Sequence, residues 1–171
     1  MTMQNKLEWN GNADSSNLSE QVIDKPVVRA FIDDDASACA EIFDLAGRQA
    51  FFWVPWPRMD QAAFTRVTCD EIVRVAVLGG AVMGFIGIYV PDKFIHHLYV
   101  HPKAQRIGLG NALLSDAEAF LGPGAHLKCQ MRNLPARSFY RARGWTEDIE
   151  MVEADDIGNW TRISYAGPVV G

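Results

Sequence analysis

The sequence lacks the features that mark several common classes of protein. Only three of its 171 residues are cysteines, namely Cys39, Cys69 and Cys129, and no C-x-x-C pair is present. An odd number of widely spaced cysteines argues against a disulfide framework or a zinc knuckle, so we expect all three thiols to be buried as small hydrophobic groups. The N-terminal residues also lack a basic segment followed by an apolar run, so no signal peptide is expected. These absences favour a reducing, cytoplasmic location.

Excess positive charge and long apolar helices are missing as well. The formal net charge is −5 at pH 7, which gives no reason to expect nucleic acid as a partner. The uncharged segment from Val75 to Val90 is shorter than the about 20 residues that a transmembrane helix needs. Because Gly79-Gly80 within this segment favours a tight turn, we predict two strands joined by a hairpin and no membrane span.

The features that are present indicate one globular domain. Apolar residues make up 49% and charged residues 22% of the chain, as in ordinary soluble domains. Residues 1–25 are polar, which predicts a flexible extension before a single domain over residues 26–171. The periodicity predicts an α/β (α+β) fold with antiparallel strands before a β-α-β unit. The predicted strands are 27–32, 71–78, 81–90, 94–100, 127–131, 145–152 and 160–165, and the predicted helices are 33–46, 60–67, 108–121 and 134–143.

The most informative segment follows the strand that ends at Val100, where a loop containing Gly108 and Gly110 opens a helix. Helix N-termini present unpaired N–H groups and a partial positive charge, and glycines let the backbone approach a diphosphate closely. Arg106 adds a full charge. No P-loop motif is present, and a dinucleotide fingerprint would need a third glycine where Leu113 stands. Taken alone, the two glycines could simply pack the helix against the strand.

Two motifs resemble those of the GCN5-related N-acetyltransferases, the GNAT superfamily. The segment Gln105-Arg106-Ile107-Gly108-Leu109-Gly110 resembles the family's Q/R-x-x-G-x-G/A motif, and the preceding Leu98-Tyr99-Val100-His101-Pro102 looks like the end of its fourth strand. Downstream, residues 133–145 are similar to the family's N-x-x-A-x-x-F-Y-x-x-x-G-F/W segment. The resemblance in element order extends from Val27 to the C-terminus.

The resemblance implies a fold and a co-substrate. In this family a mixed, mostly antiparallel sheet is flanked by helices, and strands four and five splay apart to receive the pantetheine arm of acetyl-CoA. Carried over, backbone groups of Leu98, Tyr99 and Val100 would contact the pantetheine and the thioester oxygen, and Asn133 would contact the cofactor arm. The pyrophosphate would be held by a loop of seven consecutive residues, Gln105, Arg106, Ile107, Gly108, Leu109, Gly110 and Asn111.

The same resemblance implies acid and base residues for acetyl transfer to an amine. Tyr140 matches the tyrosine that protonates the leaving thiolate, although it could instead be a buried aromatic beside Phe139. The glutamate that some members carry on strand five is replaced by Lys128. His96 and His97 are the substitutes, and strand alternation predicts that only one of them points into the cleft. We expect His96 to be the base or to hold a proton-carrying water, while a core role for either histidine remains open.

The remaining predictions concern partners. A metal site formed by His96, His97 and His101 is conceivable, but alternation separates the first two, so no metal is expected. Trp53 and Trp56, in an aromatic loop, could contact the acceptor by cation–π interaction or could simply cover the core.

The primary prediction is an acetyl-CoA-dependent N-acetyltransferase acting on an amine-bearing small molecule or peptide, with a homodimer possible. The alternatives are a non-catalytic acyl-CoA sensor and, more weakly, a nucleotide-binding protein.

Overall fold

The computed structural model describes residues 25–168, which form one seven-stranded sheet covered by four α-helices. The strands are β1 (Val27–Ala30), β2 (Ile72–Leu78), β3 (Ala81–Tyr89), β4 (Phe94–Val100), β5 (His126–Gln130), β6 (Thr146–Asp155) and β7 (Gly158–Ser164). The helices are α1 (Ala36–Ala50), α2 (Gln61–Val67), α3 (Leu109–Leu121) and α4 (Leu134–Ala142). The predicted mixed fold is therefore confirmed.

The sheet has the order β1-β2-β3-β4-β5-β7-β6, and every neighbouring pair is antiparallel except β4 and β5. The uncharged segment forms the β2–β3 hairpin, whose turn residues Gly79 and Gly80 have φ angles of 57° and 79°. Glycine adopts such left-handed angles without a steric penalty, which explains the turn. Across residues 25–168, no helix combines the length and the apolar character needed to cross a bilayer.

Each face of the sheet carries its own core. Helices α1 and α2 cover one face, where Phe43, Phe64 and Phe85 are buried together. Helices α3 and α4 cover the other face, and their core contains Ile86 and Leu113. Because successive residues of a strand point to opposite faces, the neighbours Phe85 and Ile86 of β3 belong to different cores.

Strands β4 and β5 pair over a short stretch and then separate. Their register contains Phe94 opposite His126 and Ile95 opposite Leu127, after which no partner joins them. Beyond Ile95, β4 continues to Val100, so its edge toward β5 is left unpaired by that strand. The predicted splay of strands four and five is confirmed, and it opens a gap in the middle of the sheet.

Some local predictions need correction or remain untested. Helix α1 continues to Ala50, beyond the predicted end at residue 46. Cys39 and Cys129 are buried as expected, but the prediction is wrong for Cys69, which is exposed in the turn after α2. All but the last residue of the predicted flexible extension, residues 1–25, lies outside the described part of the chain, so the domain boundary stays a prediction.

Candidate active site

The loop between β4 and α3 leaves a row of backbone N–H groups without partners. Gly108 caps α3 with a φ of 96°, and Arg106 has a φ of 68°. Among residues 25–168, no hydrogen-bond acceptor is found for the N–H groups of residues 106–111. Since these amides lie at the N-terminus of a helix, they form a concentrated patch of positive potential that suits a diphosphate.

The side chain of Gln105 braces this loop. Its amide nitrogen donates to the carbonyl oxygen of Val100 at 3.2 Å and to Oε1 of Gln49 at 3.0 Å. These bonds connect the loop to the end of β4 and to α1, so the side chain acts by fixing the backbone. Leu109 is 1% exposed, so its side chain belongs to the core and only its amide can face a ligand.

Tyr140 lies on α4 and packs between Phe139 and Trp145, with ring centroids 5.2 and 5.8 Å away. Tyr140 is buried, and no hydrogen bond of its hydroxyl is found among residues 25–168. Burial raises the pKa of Tyr140 above its usual value, and the nearby Cys129 and Tyr99 raise it further. The hydroxyl therefore stays protonated at neutral pH and is available as a proton donor.

Asn133 begins α4 as its N-cap. Its side-chain oxygen accepts a hydrogen bond from the N–H of Ala136 at 3.2 Å, which satisfies one of the free amides of the first turn. The side-chain nitrogen has no partner among residues 25–168. The side chain is thereby oriented by the helix start while one donor remains available.

His96 occupies a β-bulge, which overturns one prediction. Gly87 of β3 pairs with His97 while Ile88 pairs with Ile95, so His96 is the extra residue on β4. As a result both imidazoles approach one carboxylate oxygen, Oε1 of Glu71, with His96 Nδ1 at 2.5 Å and His97 Nε2 at 3.4 Å. The expectation that alternation separates the two histidines was wrong, because alternation holds only in a regular strand.

Glu71 precedes β2 and is the functional candidate that the sequence analysis missed. Its side chain is 2% exposed, and its second oxygen, Oε2, is buried without a hydrogen-bond partner. A β-carbon on Gly87 would lie 2.0 Å from Oε2, so the carboxylate fits only because residue 87 is glycine. Burial holds the pKa of Glu71 above its usual range, although the hydrogen bond from His96 works against this effect.

The two histidines differ in surroundings. His97 lies against Phe43, with ring centroids 4.9 Å apart, and burial together with the charge of His96 lowers its pKa to about 4. His97 is therefore neutral at physiological pH. The side chain of His96 is 41% exposed, and it borders a cleft of about 390 Å³. The cleft is also lined by Arg66, Val67, Cys69, Asp70, Glu71, Tyr89, Asp92 and Phe94.

Glu71, His96 and His97 also form a group of side chains that could hold a metal ion. Their ligand atoms lie within 4.8 Å of one another, and this is the one such His/Cys/Asp/Glu group in the described range. His101 is not part of this group, because it lies in the loop after β4, as expected from the sequence, and accepts from the N–H of Lys103 at 3.1 Å.

The aromatic loop is more structural than its sequence alone indicates. Trp56 stacks on Phe51 at 4.9 Å and covers Gly47 of α1. Trp53 donates from its indole N–H to the carbonyl of Ile157 at 3.2 Å and carries the guanidinium of Arg132 at 5.2 Å from its ring. The face of Trp53 is thus already used for a cation–π contact, and the loop is joined to the β6–β7 turn.

Comparison with known proteins agrees with this geometry. Residues 39–145 match the model of the Acetyltransferase (GNAT) family. Peptidyl-lysine N-acetyltransferase YiaC of Escherichia coli (strain K12) is 35% identical over an alignment of 87 residues that covers 45% of this chain and 58% of that relative.

Similar folds occur among solved structures. A GCN5-related N-acetyltransferase from Rhodopseudomonas palustris has a TM-score of 0.69 at 22% identity, covering 85% of this chain and 98% of the other. PaiA N-acetyltransferase from Thermoplasma acidophilum, in complex with coenzyme A, has a TM-score of 0.65 at 15% identity, covering 82% and 99%. At these identities the likeness shows the fold alone. Because the family model covers more than half of the sequence, and the splayed sheet and amide-lined loop accompany it, the chain belongs to the GNAT family of acetyltransferases.

Proposed function

We propose that this protein transfers an acetyl group from acetyl-CoA to a primary amine of a small molecule or peptide, by direct attack of the amine on the thioester. The observation that carries the proposal is the gap between β4 and β5. The gap begins after Ile95. The unpaired amides of residues 106–111 lie in the loop that follows the C-terminal end of β4. A long, thin ligand with a diphosphate at one end matches this arrangement.

In this proposal acetyl-CoA is held mainly by backbone groups. The amides of residues 106–111 bind the pyrophosphate, with Gln105 bracing them through its bond to Val100. The free edge of β4 at Leu98, Tyr99 and Val100 pairs with the pantetheine arm, and the side-chain nitrogen of Asn133 contacts the same arm. Backbone binding suits a co-substrate whose length and phosphates stay constant.

The proposed chemistry uses His96 and Tyr140. An alkylamine has a pKa of about 10.4, so most of it arrives as an ammonium ion that must lose a proton before it can attack. His96, directly or through a water, takes that proton, and an N–H group of β4 stabilises the tetrahedral oxyanion. As the C–N bond forms and the C–S bond breaks, the hydroxyl of Tyr140 donates its proton to the departing thiolate. The attacking nitrogen loses its second proton on becoming an amide, and that proton returns to the oxygen of Tyr140, so Tyr140 ends the reaction neutral.

The acceptor is proposed to be a primary amine such as a lysine side chain. The printed name of the relative YiaC, peptidyl-lysine N-acetyltransferase, supports this choice, and the net charge of −5 favours cationic acceptors. We propose that Trp53 and Trp56 border the acceptor entrance. Trp53 forms part of this border together with Arg132, which packs over its ring, and Ile157, whose carbonyl accepts from its indole N–H. The cytoplasmic location, the possible homodimer and the absence of a metal requirement remain predictions.

The test measures CoA release from acetyl-CoA across a panel of amines that includes lysine peptides, polyamines and amino sugars. Turnover with at least one primary amine is the expected result, and competition binding should favour CoA over ATP and NAD by at least about 100-fold. Tight binding of acetyl-CoA without turnover would support the acyl-CoA sensor instead. Equal affinity for ATP or NAD would contradict both functions.

A further inference from the structure

Packing alone does not explain why the carboxylate of Glu71 is buried. Glu71 places a side chain that is 2% exposed beneath His96, yet its Oε2 has no hydrogen-bond partner. A buried carboxylate with an unpaired oxygen costs free energy, so a residue with a purely structural role would be better replaced by a neutral one. Burial accordingly raises the pKa of Glu71. Such a group calls for a functional explanation.

The carboxylate is directed at one nitrogen of the exposed histidine. Nδ1 of His96 lies 2.5 Å from Oε1 of Glu71. An ionised carboxylate only accepts hydrogen bonds, so Nδ1 carries the hydrogen and the lone pair of the ring is at Nε2. Among residues 25–168, Nε2 of His96 has no hydrogen-bond partner. The contact thus selects the tautomer in which the free nitrogen can receive a proton.

Four further features hold this arrangement in place. The bulge at His96 turns its ring toward Glu71, and Gly87 leaves the space that Oε2 fills. Tyr89 stacks parallel to the imidazole, with an interplanar angle of 2° and centroids 6.0 Å apart. His97 stays neutral and does not compete as a cation, because its pKa is lowered to about 4.

We propose that Glu71 is a positioning residue for His96, one that fixes the imidazole tautomer and balances the imidazolium charge formed during catalysis. This inference rests on the proposed role of His96 as the base. In the step concerned, a proton moves from the ammonium group of the acceptor to Nε2 of His96. The hydrogen on Nδ1 remains in its bond to Oε1 of Glu71, so no other proton changes place.

The test is a double-mutant cycle on kcat. His96→Gln should lower kcat about 100-fold, and Glu71→Gln should lower it about 10-fold to 50-fold with the KM for acetyl-CoA unchanged. In the His96→Gln background, Glu71→Gln should change kcat by less than about twofold, because a positioning residue has nothing left to position. The melting temperature of Glu71→Gln should not fall, since the change removes a buried charge.

Glu118→Gln is the matched control. Glu118 is another glutamate with little exposure, its side chain being 12% exposed, and it accepts from Arg143 at 2.7 Å and from Trp145 at 2.8 Å. Its replacement should lower the melting temperature and leave kcat within about twofold of the wild-type value. Replacing Glu71 is therefore expected to lower kcat without lowering the melting temperature, whereas replacing Glu118 is expected to lower the melting temperature without lowering kcat.

Gly87→Ala tests the same contact without altering either partner. Its new β-carbon would lie 2.0 Å from Oε2 and must displace the carboxylate, so kcat should fall while acetyl-CoA binding is retained. This variant keeps the inference testable if Glu71→Gln does not fold.

The outcomes separate this inference from the proposed function. Unchanged kcat in Glu71→Gln, combined with loss of activity in His96→Gln, would overturn the positioning role and leave the transferase mechanism standing. Unchanged kcat in His96→Gln would overturn the assignment of the base and the positioning role with it. Activity lost on EDTA treatment and restored by zinc would also overturn it, because the carboxylate and imidazoles would then be metal ligands.

Discussion

The two faces of the sheet contribute to the candidate site by different means. On the α3–α4 face, the loop at residues 106–111 offers backbone N–H groups whose direction is set by the start of a helix. On the α1–α2 face, the contact between Glu71 and His96 depends on side chains brought together by a bulge and a glycine. The half proposed to bind a constant ligand therefore uses local backbone geometry, whereas the half proposed for proton removal uses tertiary packing.

Tyr140→Phe should have the largest effect on kcat among the variants that test this difference between the two faces, because Tyr140 is the one proposed catalytic side chain on the α3–α4 side. Removing its hydroxyl takes away the proton donor for the leaving thiolate, so we expect kcat to fall about 100-fold while the Kd for acetyl-CoA changes less than about threefold. Steady-state kinetics together with calorimetric titration measure both quantities. Full activity in this variant would remove the acid role from Tyr140.

Gly108→Glu should have the second largest effect, on CoA binding by the backbone N–H groups of residues 106–111. The φ of 96° strains any residue with a β-carbon, and the new carboxylate repels phosphate, so the affinity for CoA should fall about 30-fold or more. Gly80→Glu is a suitable control, because Gly80 also has a left-handed φ, 79°, with open space around it in the distant β2–β3 turn. If both variants bound CoA as the wild type does, the loop would not be the pyrophosphate site.

Asp35→Asn tests the packing beneath the α1–α2 half. Asp35 accepts from Arg29 at 2.6 and 2.9 Å and from the N–H of Ile32 at 2.9 Å, joining β1 to the start of α1. These bonds lower the pKa of Asp35. The carboxylate therefore stabilises the fold above its unfolded pKa of about 4, and this contribution is lost as the pH falls through the lower folded value.

The expected loss in the free energy of unfolding is about 1–2 kcal/mol at pH 7. Urea denaturation should show that the difference between Asp35→Asn and wild type shrinks below about pH 4. A difference that stays constant down to pH 2 would mean that the carboxylate charge contributes nothing.

Lys128→Ala should have the smallest effect. Lys128 occupies the position where some family members carry a glutamate, and its side chain is 45% exposed and paired with Glu153, which is 60% exposed. Exposed ion pairs contribute about 0–1 kcal/mol, so kcat and stability should both stay close to wild type. A loss of kcat above about tenfold would place Lys128 in the site and weaken the assignment of the base to His96.

Most of the fold, and the loop of backbone N–H groups at residues 106–111, could be predicted from the sequence, because both depend on local patterns. The strand Phe94–Val100 was predicted with its observed bounds, and the start of α3 was predicted one residue early. Cys69 was predicted to be buried, because a cysteine in a turn has no periodic pattern that reports its exposure.

The contact between Glu71 and His96 escaped prediction for a physical reason, although His96 itself was named from the sequence. Glu71 and His96 are 25 residues apart in the chain, and no motif connects them. Their contact requires antiparallel pairing of β2, β3 and β4, an extra residue at the bulge, and a glycine at position 87. Alternation, which is reliable in regular strands, gave the wrong orientation at the bulge.

The sequence by itself determined the order of helices and strands, the family resemblance and the amide-lined loop, since helix termini and turns follow from residues close together in the chain. Only the tertiary structure decided that Glu71 lies beneath His96, that His97 is neutral, and at which residue β4 and β5 separate. Burial and strand pairing produce these features, and both arise from contacts between residues that are distant in the chain.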